Sequence, residues 1–279
     1  MVKIIADTTS GISPDYAKQH GIPIIPQIIN VNDHSYYEGI DIDNAQFMEE
    51  MRNSSELPKT AAPPPELFVK EFKWMVLQGE PILCIHPSAQ VSGTVRAALI
   101  AANEFPDADI RVIDTQTIGS PLASMIQLAI EWAETGSSAD EIEKSLLQMI
   151  PRSRIYFLVA TLEYLAKGGR IGGASALLGS VLQIKPILLL KDGVVDQFEK
   201  ERTYKRAYTR LKQIVTDQCP RDGTGYPSVM HAGTPDQAAS LAKELCHEFG
   251  LPSIPILDLP PAIVTHGGPG ILAVAFFVT

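Results

Sequence analysis

Cysteine is scarce in this chain: Cys84, Cys219 and Cys246 are far apart and odd in number. That spacing gives neither a disulfide framework nor a metal motif, and it suits a reducing cytoplasm. No stretch approaches the roughly 20 uninterrupted apolar residues that a membrane span needs. The opening Val2-Lys3-Ile4-Ile5-Ala6-Asp7 resembles a first strand rather than a secretory signal, so a soluble cytoplasmic protein is expected. Basic residues are in deficit, with 23 Lys and Arg against 32 Asp and Glu and a formal net charge of −9. Such a field discourages nucleic-acid binding, and no nucleic-acid partner is expected.

Motifs for phosphate and nucleophile chemistry are missing too. There is no Gly-x-Gly-x-x-Gly and no Walker loop. The glycine-rich Gly168-Gly169-Arg170-Ile171-Gly172-Gly173 and Gly267-Gly268-Pro269-Gly270 match neither pattern. No Gly-x-Ser-x-Gly elbow surrounds Ser92, so a serine hydrolase lacks its usual local geometry. His20, His34, His86, His231, His247 and His266 are scattered without metal-ligand spacing. Nucleotide and metal chemistry are therefore poorly supported, and neither a cofactor nor a catalytic residue is expected.

What is present is an ordinary globular composition, 45% hydrophobic and 20% charged, in 279 residues, long enough for two domains. In the first half, apolar runs alternate with helical patterns, the signature of a parallel sheet with crossover helices. Strands are predicted over 2–6, 24–29, 82–85 and 110–113, and helices over 14–20, 44–52, 65–77, 91–104 and 121–135. A helix over 140–149 and then Pro151 mark a seam. Beyond it the pattern changes to strands over 155–160, 186–190, 194–198, 228–231, 255–259 and 272–278, with helices over 203–216 and 235–249. The turn Lys191-Asp192-Gly193 joins two of these strands as a hairpin.

Three hydroxyl-rich segments directly follow predicted parallel strands: Asp7-Thr8-Thr9-Ser10, Ser88 to Thr94, and Asp114-Thr115-Gln116-Thr117. Ligands of open parallel sheets bind beyond the carboxyl ends of the strands. The most informative of the three is Val91-Ser92-Gly93-Thr94, at a strand-to-helix turn. Unpaired N–H groups and a partial positive charge there suit an anion. Ser92 and Thr94 add hydroxyl donors, and Gly93 lets a ligand approach the backbone. Taken singly, each turn also reads as an Asx or Ser/Thr cap. His86 and His266 are placed near the same edge, where a structural role is the plainer reading.

Together these segments resemble the DegV family, almost end to end. Asp7-Thr8-Thr9-Ser10 stands where the family has Asp-Ser-Thr-Ser, and Thr60-Ala61-Ala62-Pro63 where it has Thr-Ser-x-Pro. Ser92-Gly93-Thr94 matches its Ser-Gly-Thr turn. Leu162-Glu163-Tyr164-Leu165 followed by Gly168-Gly169-Arg170-Ile171-Gly172 is the most specific match, and His266-Gly267-Gly268-Pro269-Gly270 resembles the closing His-x-Gly-Pro-Gly. The resemblance implies an α/β fold with an N-terminal three-layer α/β/α domain holding a parallel sheet, residues 1–152. A C-terminal two-layer α/β domain with a mixed sheet, residues 153–279, would close over a long-chain fatty acid. Carried over, Thr60 and Ser92 hold the carboxylate. The protein would be the non-catalytic, lipid-presenting subunit of a fatty acid kinase, whose separate ATP-binding subunit forms the acyl phosphate. Ala61 departs from the family pattern and removes one hydroxyl near the carboxylate.

A fatty acid needs an apolar tunnel and a mouth rich in donors, since an unpaired buried carboxylate is strongly unfavourable. Thr60, Ser92 and the backbone at Gly93 and Thr94 are the expected donors. Arg170 and His266 are the basic residues within the matched motifs, with a head-group role and a structural or docking role both open. Ile28, Ala160, Leu177, Leu178, Val181, Ile187 and Phe276 are candidates for the tunnel, and each also reads as plain core. Arg202, Lys205 and Arg206, with Lys200 and Arg210, form a basic cluster. It is either a solvated helix face or a docking patch for the kinase or for transient contact with anionic lipid. A small-molecule kinase-like enzyme or a serine-dependent enzyme using the same crevice is the alternative. A lipid sensor working by domain closure is a third reading.

Overall fold

Short apolar runs and capped helices build the first part of the chain. The computed structural model describes residues 1–178 and 184–279. Strand β1 (Lys3–Asp7) leads into α1 (Pro14–His20), whose start is set by the Ser13 hydroxyl accepting the Tyr16 N–H and by Pro14 in the first turn. Then follow β2 (Ile24–Ile25), β3 (Ile28–Val31), β4 (His34–Tyr37), α2 (Asn44–Asn53), β5 (Lys59–Ala61) and α3 (Pro65–Val76). After these come β6 (Ile82–His86), α4 (Thr94–Ala102), β7 (Ile110–Asp114), α5 (Ser120–Glu134) and α6 (Ala139–Met149). Strands β2, β1, β6 and β7 pair in that order, all parallel. Strand β6 is buried along its whole length, as a parallel strand covered on both faces should be. Phe68 and Phe72 of α3 and Ala98 of α4 cover one face over Ile5 and Cys84. On the other face, Leu122 and Ile126 of α5 and Ile142 and Leu146 of α6 pack over Ile4, Leu83 and Ile85. These are the three layers expected of this half.

The second part contains β8 (Ser153–Leu158), α7 (Glu163–Lys167), β9 (Lys185–Lys191), β10 (Val194–Glu201), α8 (Tyr204–Gln218) and β11 (Ser228–His231). It continues with α9 (Pro235–Phe249), β12 (Ile256–Asp258), α10 (Pro261–Gly267) and β13 (Leu272–Phe277). The strands form a mixed sheet in the order β10-β9-β8-β13-β11-β12, where only β11 and β12 run parallel. Strand β13 lies inside this sheet, while its Phe277 packs into the core beneath α5 and α6. Helices α8 and α9 cover one face, with Leu211, Ile214, Leu241 and Leu245 over Tyr156, Ile187, Val274 and Phe276. The other face carries Ile155, Phe157, Leu188 and Ala273, and meets α10, Ile29 of β3 and Phe47 of α2.

The strand predicted over 24–29 is two strands in two sheets. Pro26 has no N–H to give to a ladder, and the chain leaves the parallel sheet there to build a three-stranded antiparallel sheet, β4-β3-β5. Strands β4 and β5 escape the pattern because they are short and largely polar, His-Ser-Tyr-Tyr and Lys-Thr-Ala. Helix α4 begins at Thr94 rather than Val91, because the Ser88 carbonyl accepts the N–H groups of Val91 and Ser92 in a preceding turn. Helices α7 and α10 are short and flanked by glycine and proline, which hides their periodicity. The small sheet is fastened to the second half. Glu38 accepts the Ala262 N–H at 2.7 Å and the Thr8 hydroxyl, and Asn44 donates to the Leu259 carbonyl at 3.2 Å. Among the described residues no helix is long and apolar enough to cross a membrane.

Candidate functional site

Side chains alternate between the two faces of a strand, and this decides what lines the crevice between the sheets. Ile155 and Phe157 of β8, Leu190 of β9, Val195 of β10, Met230 of β11 and Ala273 of β13 present apolar surface to it. Leu165 of α7 and Ala262 and Ile263 of α10 close it from above, and the space, mouth included, is about 960 Å³. Ile187 and Phe276, expected in the tunnel, lie on the opposite face under α8 and α9. Leu177 packs into the buried core, Leu178 is half exposed and Ala160 is exposed. Ile28 is not part of the lining; its neighbour Ile29 is the inward residue of β3. Val181 lies outside the described residues.

The polar lining consists of Thr9, Gln27, Thr60, Ser92, Arg170 and His266. Thr60 arrives on β5, and Ala62 just beyond it lies so close to Gly93 that a Cβ there would come within 3.0 Å of the Ala62 methyl. The small sheet and the Ser-Gly-Thr turn are therefore in direct contact. The Thr60 hydroxyl is 2.7 Å from His266 Nε2. Burial, and secondarily the Arg170 charge, pull the His266 pKa down to about 4, so the ring is neutral at physiological pH. Nδ1 of His266 is buried and has no partner among the described residues. A proton there would be a stranded donor, so the favoured tautomer carries it on Nε2. Thr60 then accepts from His266, and the threonine's own proton is free for the crevice.

Close approach explains two motif glycines. His266 is seated against Gly168, where any Cβ would overlap its Nδ1. Gly268, at φ +79°, faces the Tyr164 ring, where a side chain would collide. The two glycine-rich motifs thus interlock through α7 and α10. Arg170 donates from Nε to the Val91 carbonyl at 3.1 Å and from Nη1 to the Gly168 carbonyl at 2.7 Å. It ties the Ser92 turn to this interlock while lining the crevice.

Behind Ser92 lies a buried polar string. Thr94 is fully buried, 2.8 Å from the Ser92 hydroxyl, and Gln27 Nε2 reaches Thr94 Oγ1 at 2.8 Å and Asp7 Oδ1 at 3.3 Å. Asp7 also accepts from the Thr9 N–H at 3.0 Å and pairs with His86 Nδ1 at 2.8 Å, with both side chains fully buried. Thr60, Ser92, Gly93, Arg170 and His266 therefore meet at one crevice, and Thr94 stands behind Ser92 rather than in the lining. The third hydroxyl turn does not contribute its side chains: Thr115 donates to the His86 carbonyl, and Thr117 accepts from Ser153. Among the described residues Ser92 hydrogen-bonds to Thr94 and to no histidine. Gln27 escaped the sequence reading; its signal is a lone amide between Ile24-Ile25-Pro26 and Ile28-Ile29.

Arg202, Lys205 and Arg206 are outside the crevice, exposed where β10 hands over to α8. Arg206 pairs with Glu201 at 3.4 Å, and Arg210 makes a two-pronged pair with Glu199 at 2.7 and 2.8 Å. Among the described residues no cluster of His, Cys, Asp or Glu could hold a metal ion.

A family model described as "Uncharacterised protein, DegV family" matches residues 1–279. The chain is 34% identical to a DegV domain-containing protein of Clostridium perfringens, covering 99% of this chain and 98% of the relative. Among solved structures, a fatty-acid-binding DegV family protein of Thermus thermophilus superposes with a TM-score of 0.91 at 29% identity, over 100% of this chain and 99% of that one. DegV of Bacillus subtilis, described as a fatty acid binding protein, gives 0.86 at 29% identity, over 100% and 99%.

Proposed function

This chain belongs to the DegV family, and from that premise we propose that it carries a long-chain fatty acid in the crevice between residues 1–152 and 153–279. The acyl tail lies along the apolar lining, and the hydroxyls of Thr60 and Ser92 donate to the carboxylate. Arg170 and His266 set the electrostatics of the mouth. The carrier offers this carboxylate to a separate ATP-dependent kinase subunit in the cytoplasm, which forms the acyl phosphate. Arg202, Lys205 and Arg206 are its docking surface, and loading involves brief contact with a membrane surface.

The observation that carries this reading is the union of two unlike surfaces in one space, an apolar sheet face and a mouth that holds the Thr60 and Ser92 hydroxyls. Burying a tail of roughly sixteen carbons gains on the order of 10 kcal/mol before entropy losses. The head group then needs donors in place of water. No catalytic role is assigned to the chain itself; the Ser92 hydroxyl serves as a ligand donor in this reading. Denaturing extraction of the purified protein followed by mass spectrometry tests the reading. A stoichiometric long-chain fatty acid is expected. Its absence, with no uptake of added palmitate or oleate, overturns it.

A further inference from the structure

The directions of the hydrogen bonds behind Ser92 follow from the Asp7 carboxylate outward. Asp7 Oδ1 accepts from the Thr9 main-chain N–H, so the Gln27 atom facing it must be the donor Nε2. The second hydrogen of that amide goes to Thr94 Oγ1. Thr94 is fully buried, and among the described residues Ser92 Oγ, at 2.8 Å, is the one acceptor in reach of its hydroxyl proton, so we assign that proton to Ser92. Ser92 Oγ also faces the Thr94 N–H at 3.3 Å. With its oxygen accepting twice, the Ser92 proton is left for the crevice.

The geometry points to Gln27 as the positioning residue that makes this site selective for a carboxylate: anchored by Asp7, it turns Thr94 so that Ser92 offers a proton rather than a lone pair. This rests on the fatty-acid reading above and extends it to head-group choice. Gln27 is 3% exposed and belongs to no motif that suggested the ligand. A neutral head group, such as a long-chain alcohol, can donate as well as accept and gains less from a forced donor. A carboxylate only accepts. Reversing the string turns Ser92 toward Thr94 and presents its lone pair to the ligand.

Affinities for oleate and for oleyl alcohol test this in the wild type, Gln27→Glu, Thr94→Val and the double variant. In Gln27→Glu a carboxylate oxygen would face Thr94, accept its proton and reverse the string. The oleate-to-alcohol preference should drop about tenfold in Gln27→Glu, the size of one charge-assisted hydrogen bond. With Thr94→Val the string is cut, and adding Gln27→Glu should change the preference by no more than about twofold. An equal loss in both backgrounds overturns the inference and assigns the effect to charge repulsion. Should Gln27→Glu fail to fold, Gln27→Leu replaces it in the same cycle, with a drop of about threefold that vanishes beside Thr94→Val. A wild type that binds neither lipid overturns the fatty-acid reading itself. A wild type that binds oleate, with variants that keep its full preference, overturns only the role of Gln27.

Discussion

The Thr60 hydroxyl and the His266 imidazole meet at 2.7 Å although 206 positions separate them in the chain. Neither residue holds its place by local structure. The threonine comes from the short β5, the histidine from α10, and the bond closes one wall of the crevice.

On the proposed reading, removing either the Thr60 or the Ser92 hydroxyl leaves the carboxylate one donor short. Thr60→Val and Ser92→Ala should each weaken oleate binding by about 1–3 kcal/mol, or roughly 5- to 150-fold. Competition against a fluorescent fatty acid reads this, with the melting temperature as a control for folding. Affinity within twofold of the wild type in both variants would show that the head group lies elsewhere.

Gly168→Ala places a methyl against His266 Nδ1 and 2.8 Å from the Tyr164 carbonyl. The ring must shift, which costs about 1–3 kcal/mol of stability and disturbs the partner of Thr60. In a His266→Ala background part of that loss should disappear, because the side chain that clashes is gone. Chemical denaturation of the two single variants and the double variant measures the coupling. Strict additivity would remove the seating role given to Gly168.

Burial pushes the Glu38 carboxyl up to about 7, opposed by its bonds to Thr8 and Ala262 and assisted by Asp7. Its folded-state pKa lies above the usual 4.5, so between about pH 4.5 and 7 the native state holds the extra proton. The stability it contributes is complete below pH 4.5 and is lost as pH rises through 7, by about 3 kcal/mol in all. His266 runs the other way. Its pKa is lowered from 6.5 to about 4, so its contribution is complete above pH 6.5 and is lost as pH falls toward 4. Glu38→Gln should thus be more stable than the wild type at pH 8 and lose that advantage near pH 5. Urea melts across this range check it, and a pH-independent difference would contradict the assignment.

The proposed docking surface is open to a charge test. Arg202→Glu combined with Arg206→Glu should weaken acyl phosphate formation by the kinase subunit by at least about tenfold. Oleate affinity should stay within twofold of the wild type, since neither arginine lines the crevice. Unchanged coupling to the kinase would return these residues to a solvated helix face.

Much of the architecture was legible because its signals are local. Ser13 and Pro14 start α1 where expected, and the buried run 82–85 falls within β6. The hairpin turn at Lys191-Asp192-Gly193 joins β9 and β10 as its residues suggest. Thr60, Ser92, Gly93, Arg170 and His266 are marked by their motifs, and all reach the crevice. The apolar lining of the crevice was not legible, for a physical reason. Strands β8, β9 and β13 are apolar on both faces, so no polar alternation tells Phe276 from Ala273. Thr94 shows a different limit: its place in the motif is plain, but only packing reveals that it stands behind Ser92 rather than in the lining. The β4-β3-β5 sheet stayed hidden because its strands are brief and polar, and their pairing is set by distant partners such as Ala262.

The interior position of β13 bears on how the chain is made. A ribosome releases this strand after every one of its neighbours, yet β8 and β11 cannot be joined without it, and the layer beneath α5 and α6 lacks Phe277 until then. Both interiors that β13 serves are therefore completed by the same late strand. The crevice lining shared by β8, β11 and β13 is complete only once this last strand has paired.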